Sequence, residues 1–247
     1  MKIVNQQPNM QYRRFGRTDR WLSTITLGGM RYHESWSEPR DEPTPQMIDQ
    51  CADILTRAFD KGVNHIETAY GYGRSEYCHG VVLNDVLGWK RDQYLLMTKG
   101  TADSADAMRR RVEEQLIALK TDHIDLWMMH NVSGDDAKDA YRTEGAIEAI
   151  ELAKQQGKIR YSGFTGHTEA KVHQDLIEGG FEWDATLMPV SVLGALKSRS
   201  FEEAVMPLCA KNKIAVLGMK GFGGSRRTHL HERTNVQEVL QYSLSYP

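Results

Sequence analysis

The sequence is short of the features that fix a fold covalently or by charge. It has three cysteines, Cys51, Cys78 and Cys209, widely spaced and with no Cys-x-x-Cys pair. That scarcity argues against a disulfide framework and a structural zinc site, and it suits free thiols in a reducing compartment. No run approaches the roughly 18 apolar residues of a membrane span, and the opening Met1-Lys2-Ile3-Val4-Asn5-Gln6-Gln7 is polar. A cytoplasmic protein with neither signal peptide nor membrane span is therefore expected. An excess of one charge is also lacking. The 31 lysines and arginines against 33 acids leave a net charge of −2, so no basic field points to nucleic acid. With 40% hydrophobic and 26% charged residues in 247, disorder, collagen and coiled coil are excluded in turn. No linker, low-complexity stretch or shift in composition divides the chain, and a single domain over 1–247 is predicted.

What is present is an alternation of strands and helices. Tyr12–Phe15, a turn at Gly16–Asp19 and Trp21–Ser23 read as an N-terminal β-hairpin. A polar, proline-containing loop runs from Glu34 to Pro43. Thr44-Pro45 then starts a helix, with Met47, Cys51, Ile54, Leu55, Ala58 and Phe59 at helical spacing and Gly62 beyond its end. Ser200-x-x-Glu203 and Thr234-x-x-Gln237 have capping-box spacing. Strands are predicted near 24–29, 63–67, 94–99, 124–130, 160–165, 184–190 and 214–219. Their ends recur at roughly 30 residues, the size of one βα unit, and imply a parallel sheet. The expected architecture is an α/β (β/α)8 TIM barrel that is incomplete. It has about seven βα units by this count, where a closed barrel needs eight. The reading favours truncation of something longer.

In such a barrel the chemistry sits where strands end and loops begin. Those positions hold Gly28-Gly29-Met30, Glu67, Lys99, His130, Thr165-Gly166-His167 and Lys220. A strand-end histidine or lysine taken alone is most often structural or solvated. Glu67, Lys99 and His130 end three consecutive apolar strands, and burying such charges without partners is costly. A Glu–Lys pair beside a histidine and tyrosines suits tuned proton transfer. Spacing alone does not choose between Tyr70 and Tyr72.

Glu67-Thr68-Ala69-Tyr70-Gly71-Tyr72-Gly73 resembles the second-strand motif of the aldo-keto reductase superfamily. Leu96-Met97-Thr98-Lys99 and Trp127-Met128-Met129-His130 are similar to its lysine and histidine segments. Gly157–Thr165 is similar to its fifth-strand segment, and Tyr12–Thr18 to its opening hairpin. The resemblance runs from about residue 11 to the end, in the family's order. It implies an NADPH-dependent reductase, with NADH possible, that turns an aldehyde or ketone into an alcohol. By the same resemblance Tyr72 is the general acid, Lys99 lowers its pKa from the usual ~10, His130 orients the carbonyl, and Glu67 holds Lys99. Cofactor contacts would come from Gly28, Gly29, Met30, Thr165, Gly166, Leu187, Met219, Lys220, Phe222 and Gly224, and no metal is required. The partner is a small carbonyl compound, and no oligomeric state follows.

Four departures from the family's pattern stand out. Glu67 replaces the usual aspartate, as in one branch of the superfamily. Thr165-Gly166 replaces a serine–asparagine pair, and Leu187 and Met219 stand near a usual glutamine and a stacking tyrosine. The adenosine-binding segment after an eighth strand is missing. A non-catalytic or vestigial nicotinamide-binding member of the same fold is the alternative these changes motivate. A metal-dependent hydrolase using His65, Glu67, His130 and His167 is a third reading, weakened by the lack of a His-x-His pattern. Arg226, Arg227, His229, His231 and Arg233 read as a basic surface loop or as a cover over cofactor phosphates. Tyr32, His33 and Trp36 either line the mouth or pack their loop, and Met97, Met128 and Met129 read as barrel core.

Overall fold

A computed structural model describes residues 3–101, 104–142, 144–196, 200–223 and 235–246. The chain opens with an antiparallel hairpin, β1 (Tyr12–Arg14) and β2 (Trp21–Ser23). Seven parallel strands follow: β3 (Leu27–Gly28), β4 (His65–Glu67), β5 (Leu95–Gly100), β6 (Ile124–Met129), β7 (Ile159–Thr165), β8 (Ala185–Pro189) and β9 (Ala215–Met219). They pair in strict chain order from β3 to β9. Among the described residues β3 pairs only with β4, and β9 only with β8. The incomplete barrel expected from the sequence is therefore what the chain forms. The order of strands and helices is that of successive βα units, the arrangement that short parallel strands and amphipathic helices favour.

The connecting helices are α1 (Pro45–Asp60), α2 (Ser75–Val81), α3 (Ala105–Ala118), α4 (Asp136–Ala140), α5 (Ala146–Gln155), α6 (Ala170–Glu178), α7 (Val192–Ala195), α8 (Phe201–Ala204), α9 (Met206–Asn212) and α10 (Val236–Ser245). Among the described residues no helix is long and apolar enough to cross a membrane. Local chemistry sets the ends. Thr44 Oγ1 accepts from the Met47 amide at 3.3 Å, Pro45 occupies the first turn of α1, and Gly62 leaves it at a φ of 90°. Ser200 Oγ caps α8 through the Glu203 amide at 3.1 Å. The spacing at Thr234 does not mark the start of α10. Asn235 is the cap, accepting from the Gln237 amide at 2.9 Å, and Thr234 lies outside the described residues.

Two apolar layers explain why the strands read as continuous apolar runs. Leu95, Met97, Leu126, Met128, Ala185 and Leu187 point into the barrel, where Phe15 and Leu22 of the hairpin join them. Leu96, Trp127, Met129, Phe164 and Met188 alternate with them and pack beneath the helices. Met97 and Met128 are thus barrel interior, whereas Met129 belongs to the outer layer. The hairpin closes the end where strands begin. A side chain on Gly16 would lie 2.6 Å from the Lys213 carbonyl and 2.7 Å from the Ala215 amide, so the turn seats against the start of β9. The opposite end, where strands finish, is left for a site.

Candidate active site

Inward-facing positions recur at every second residue. Lys99 follows Leu95 and Met97 on β5, and His130 follows Leu126 and Met128 on β6, so both side chains reach the strand-end rim from inside. Glu67 ends β4 one strand away. Lys99 is 1% exposed and Glu67 8%. The Lys99 ammonium is ion-paired with Glu67 Oε1 and donates to the Thr68 carbonyl at 2.7 Å. A buried charge is tolerable on such terms, with its counter-ion in contact and a second acceptor in place.

Tyr72, in the turn after β4, completes the group. Its hydroxyl lies 3.5 Å from Glu67 Oε1, the Lys99 nitrogen sits 4.6 Å from its ring centroid, and its ring meets His130 edge-on at 5.8 Å. Tyr70 is held elsewhere, with its ring between the guanidinium groups of Arg40 (3.7 Å) and Arg111 (3.4 Å). Geometry thus separates two tyrosines that spacing could not. Of the aromatic residues after β3, Trp36 stands at the mouth, 6.1 Å edge-on from Tyr72. Tyr32 packs its loop instead, buried and 3.1 Å from His79 Nε2. His33 is exposed, and its amide donates to Gln50.

The electrostatics differ from expectation at one point. Burial pushes the Tyr72 phenol up to about 12, against a small opposing effect of Arg31, rather than below its ordinary value. Lys99 lies over the ring and is ion-paired with Glu67, and burial is the larger influence on the phenol. Burial also pushes the Lys99 ammonium down. His130 is pushed down to about 4, by burial first and then by the charges of Lys99 and His167. His167 falls to about 4 through burial, Lys220 and Lys99. Both imidazoles are therefore neutral at pH 7.

Beside this group lies a cleft of about 400 Å³ lined by Thr101, Met129, His130, Asn131, Val132, Asp136 and His167. His167 Nδ1 is buried there without a hydrogen-bond partner among the described residues. Thr101, Asn131 and Asp136 carried no signal in the sequence, because polar loop residues after a strand look alike whether or not they line a cavity. The other strand-end residues fall on the same rim. Gly28 is exposed above Glu67, where a side chain would begin 3.4 Å from Oε2. Gly29 instead admits α2, since its Cβ would lie 2.5 Å from His79 and 2.6 Å from Ser75. Met30 is half-buried. Thr165 Oγ1 accepts from the Asn131 amide at 2.9 Å, and the Gly166 amide donates to the Leu187 carbonyl at 3.3 Å. Gly166 leaves room for His173, whose ring carbon would lie 2.5 Å from a Cβ there. Leu187 belongs to the apolar interior, and Met219 packs against it. Lys220 turns the chain off β9 with a φ of 57°, and its carbonyl accepts from Gly223 at 2.6 Å. Phe222 is half-buried in that turn. Gly224, Arg226, Arg227, His229, His231 and Arg233 lie outside the described residues.

The metal-hydrolase constellation is not assembled. His65 turns its nitrogens to Thr26 (2.8 Å) and Ser23 (3.2 Å), and burial pushes it down to about 3. Among the described residues no three His, Cys, Asp or Glu side chains gather in a way that would hold a metal.

The profile of the Aldo/keto reductase family matches residues 24–240. Aldo-keto reductase YhdN of Bacillus subtilis is 29% identical over 208 residues, covering 79% of this chain and 56% of its own length. The NADH-specific methylglyoxal reductase of Escherichia coli is 27% identical over 222 residues, covering 81% of this chain and 64% of its own. The chain spans about half the length of the first curated relatives it matches, between 43% and 56%. Among solved structures, PA4992 of Pseudomonas aeruginosa superposes with a TM-score of 0.73 at 22% identity, covering 97% of this chain and 85% of that one. A profile match across most of the sequence, with the fold to go with it, shows that the chain belongs to the aldo/keto reductase family.

Proposed function

We propose that this protein reduces an aldehyde or ketone to the alcohol, with Tyr72 as the proton donor and a nicotinamide cofactor, NADPH in preference to NADH. The observation that carries this reading is the convergence of Glu67, Tyr72, Lys99 and His130 at one rim. The rim fits the cofactor on two counts: the bare Gly28 surface above Glu67, and the unpartnered Nδ1 of His167 beside the cleft. Thr165, Gly166, Leu187 and Met219 would hold the nicotinamide ring, and Gly28 and Met30 would add contacts, while Gly29 faces α2. Lys220, Phe222 and Gly224 would hold the pyrophosphate. The bound nicotinamide supplies the hydride.

The remaining steps belong to the chain's own residues. Neutral His130 and the Tyr72 hydroxyl donate to the carbonyl oxygen, orient it and polarise the bond. As that oxygen gains charge, the Tyr72 proton passes to it and leaves a tyrosinate beside the Lys99 ammonium. Lys99, 4.6 Å from the Tyr72 ring centroid, is the cation placed to offset the negative charge as it develops, against the burial that opposes it. A phenol near 12 is protonated at neutral pH, the form that proton donation to the carbonyl requires.

Tyr72→Phe is expected to abolish cofactor oxidation across an aldehyde and ketone panel while cofactor affinity changes less than about twofold. Wild-type turnover in that variant would sink the assignment. Both NADPH and NADH belong in the assay, since a relative is named as NADH-specific. Leu187, buried in the apolar interior and offering no amide, favours the second reading of a non-catalytic cofactor-binding protein. Saturable binding with no turnover over the whole panel would support it.

A further inference from the structure

The loop between β3 and α1 is fastened to the Tyr72 turn from both sides. Arg40 of the loop donates to the carbonyls of Tyr70 (2.9 Å) and Gly73 (3.2 Å). Arg74 of the turn reciprocates, donating to the carbonyls of Glu38 (2.7 Å) and Pro39 (2.8 Å). Ser35 Oγ donates to the Tyr72 carbonyl at 2.9 Å, and the Arg74 amide to the Ser35 carbonyl at 2.7 Å. Gly73, at a φ of 56°, permits this approach, because a Cβ there would lie 2.0 Å from the Ser35 oxygen. The result is a clasp that fixes the backbone carrying Tyr72 and sets Trp36 against its ring.

Beneath the clasp lies a carboxyl group that the reaction does not use. Glu76, in the first turn of α2, has its side chain 1% exposed. Oε1 accepts from Thr98 Oγ1 at 2.6 Å and Gln115 Nε2 at 2.5 Å, and Gln115 Nε2 also donates to the Lys99 carbonyl at 3.0 Å. Among the described residues Oε2 has no hydrogen-bond partner, and it faces Arg40 Nη2 at 3.6 Å. The charged groups around the carboxyl are Arg40 from the loop and Arg111 from α3, while β5 contributes the Thr98 hydroxyl. A buried carboxylate oxygen without a hydrogen bond is costly, and the neighbour it can act on is the arginine of the clasp.

We propose that Glu76 is a positioning residue whose carboxylate holds Arg40 on the Tyr72 turn, and that its protonation releases Arg40 and slackens the mouth of the site. Burial pushes the Glu76 carboxyl up to about 7, with Thr98, Gln115, Arg40 and Arg111 opposing. The change therefore falls at neutral pH, with the clasp engaged on the alkaline side. The catalytic consequence rests on Tyr72 being the acid. The movement of the loop does not.

The test follows the emission of Trp36 against pH, with Trp36→Phe identifying its share among the five tryptophans. Wild type is expected to show one transition near pH 7, absent from Glu76→Gln and from Trp36→Phe. In Glu76→Gln, kcat is expected to fall about ten-fold and to lose its pH dependence, with KM and cofactor affinity held. Arg40→Met should give the same loss, Arg40→Lys should restore part of it, and the Glu76→Gln, Arg40→Met pair should be no worse than either alone. A Glu76→Gln protein with the wild-type Trp36 transition and pH profile overturns the proposal, as does a wild type with no transition. A normal transition alongside an active Tyr72→Phe variant would uphold the clasp and remove Tyr72 from its role. Because the emission needs no turnover, the clasp is decided even if the chain proves inactive.

Discussion

His65, His79 and His173 are fully enclosed, and burial is the main force that pushes them down, to about 3 for the first and about 4 for the other two. An unfolded chain protonates them near 6.5, so between there and pH 4 the unfolded state binds more protons than the folded one. Each then withdraws up to about 1.4 kcal/mol of stability per pH unit of acidification. Glu76 works in the opposite sense. Its raised pKa makes the folded state the better proton binder between about 4.5 and 7, so it loses stability as pH rises through that window. Three histidines outweigh one glutamate, and the urea midpoint is expected to be clearly lower at pH 5 than at pH 7.5. Equal midpoints would mean that the three rings find partners or water that accept the charge.

The elements depend on local signals of unequal strength. Thr44 carries the cap of α1 through a single hydrogen bond, so Thr44→Ala is expected to cost about 1 kcal/mol with turnover unchanged, as read by denaturant melts and a carbonyl assay. A change in turnover would show that α1 communicates with the clasp through the loop it follows. Signals of this kind made much of the fold legible: the Thr44-Pro45 start, the hairpin around Gly16, and the apolar runs that became β4 to β9. At the rim, Glu67, Lys99 and His130 were legible because each charge follows an apolar strand directly. Less could be read where contacts are remote in sequence. Nothing near Tyr70 and Tyr72 says that Arg40 and Arg111 will sandwich one ring and leave the other to Lys99. Glu76 looks like any acid in a first helical turn until Thr98 and Gln115 enclose it, and the start of α10 shifted by one residue because Thr234 and Asn235 are both plausible caps. The raised pKa of Tyr72 was equally hidden, since it depends on how deeply the folded chain buries the phenol.

Across the whole molecule, burial falls away toward one side of the sheet. β5 and β6 are buried at every residue, whereas most of β9 is partly exposed and its far edge has no strand partner among the described residues. Amides of β5 and β6 are accordingly expected to exchange with solvent only on global unfolding, and those of β9 by local opening at least ten-fold faster, as measured by hydrogen exchange. Equal protection would require that something covers the β9 edge. The strap at the opposite end of the barrel has a different consequence. Arg13 in the hairpin donates to the carbonyls of Leu244 and Tyr246, each at 2.5 Å, while the Gly16 turn seats on the start of β9. The hairpin thus finds its anchors more than 230 residues further along the chain, and a nascent chain carries its barrel floor unseated until synthesis has passed residue 246.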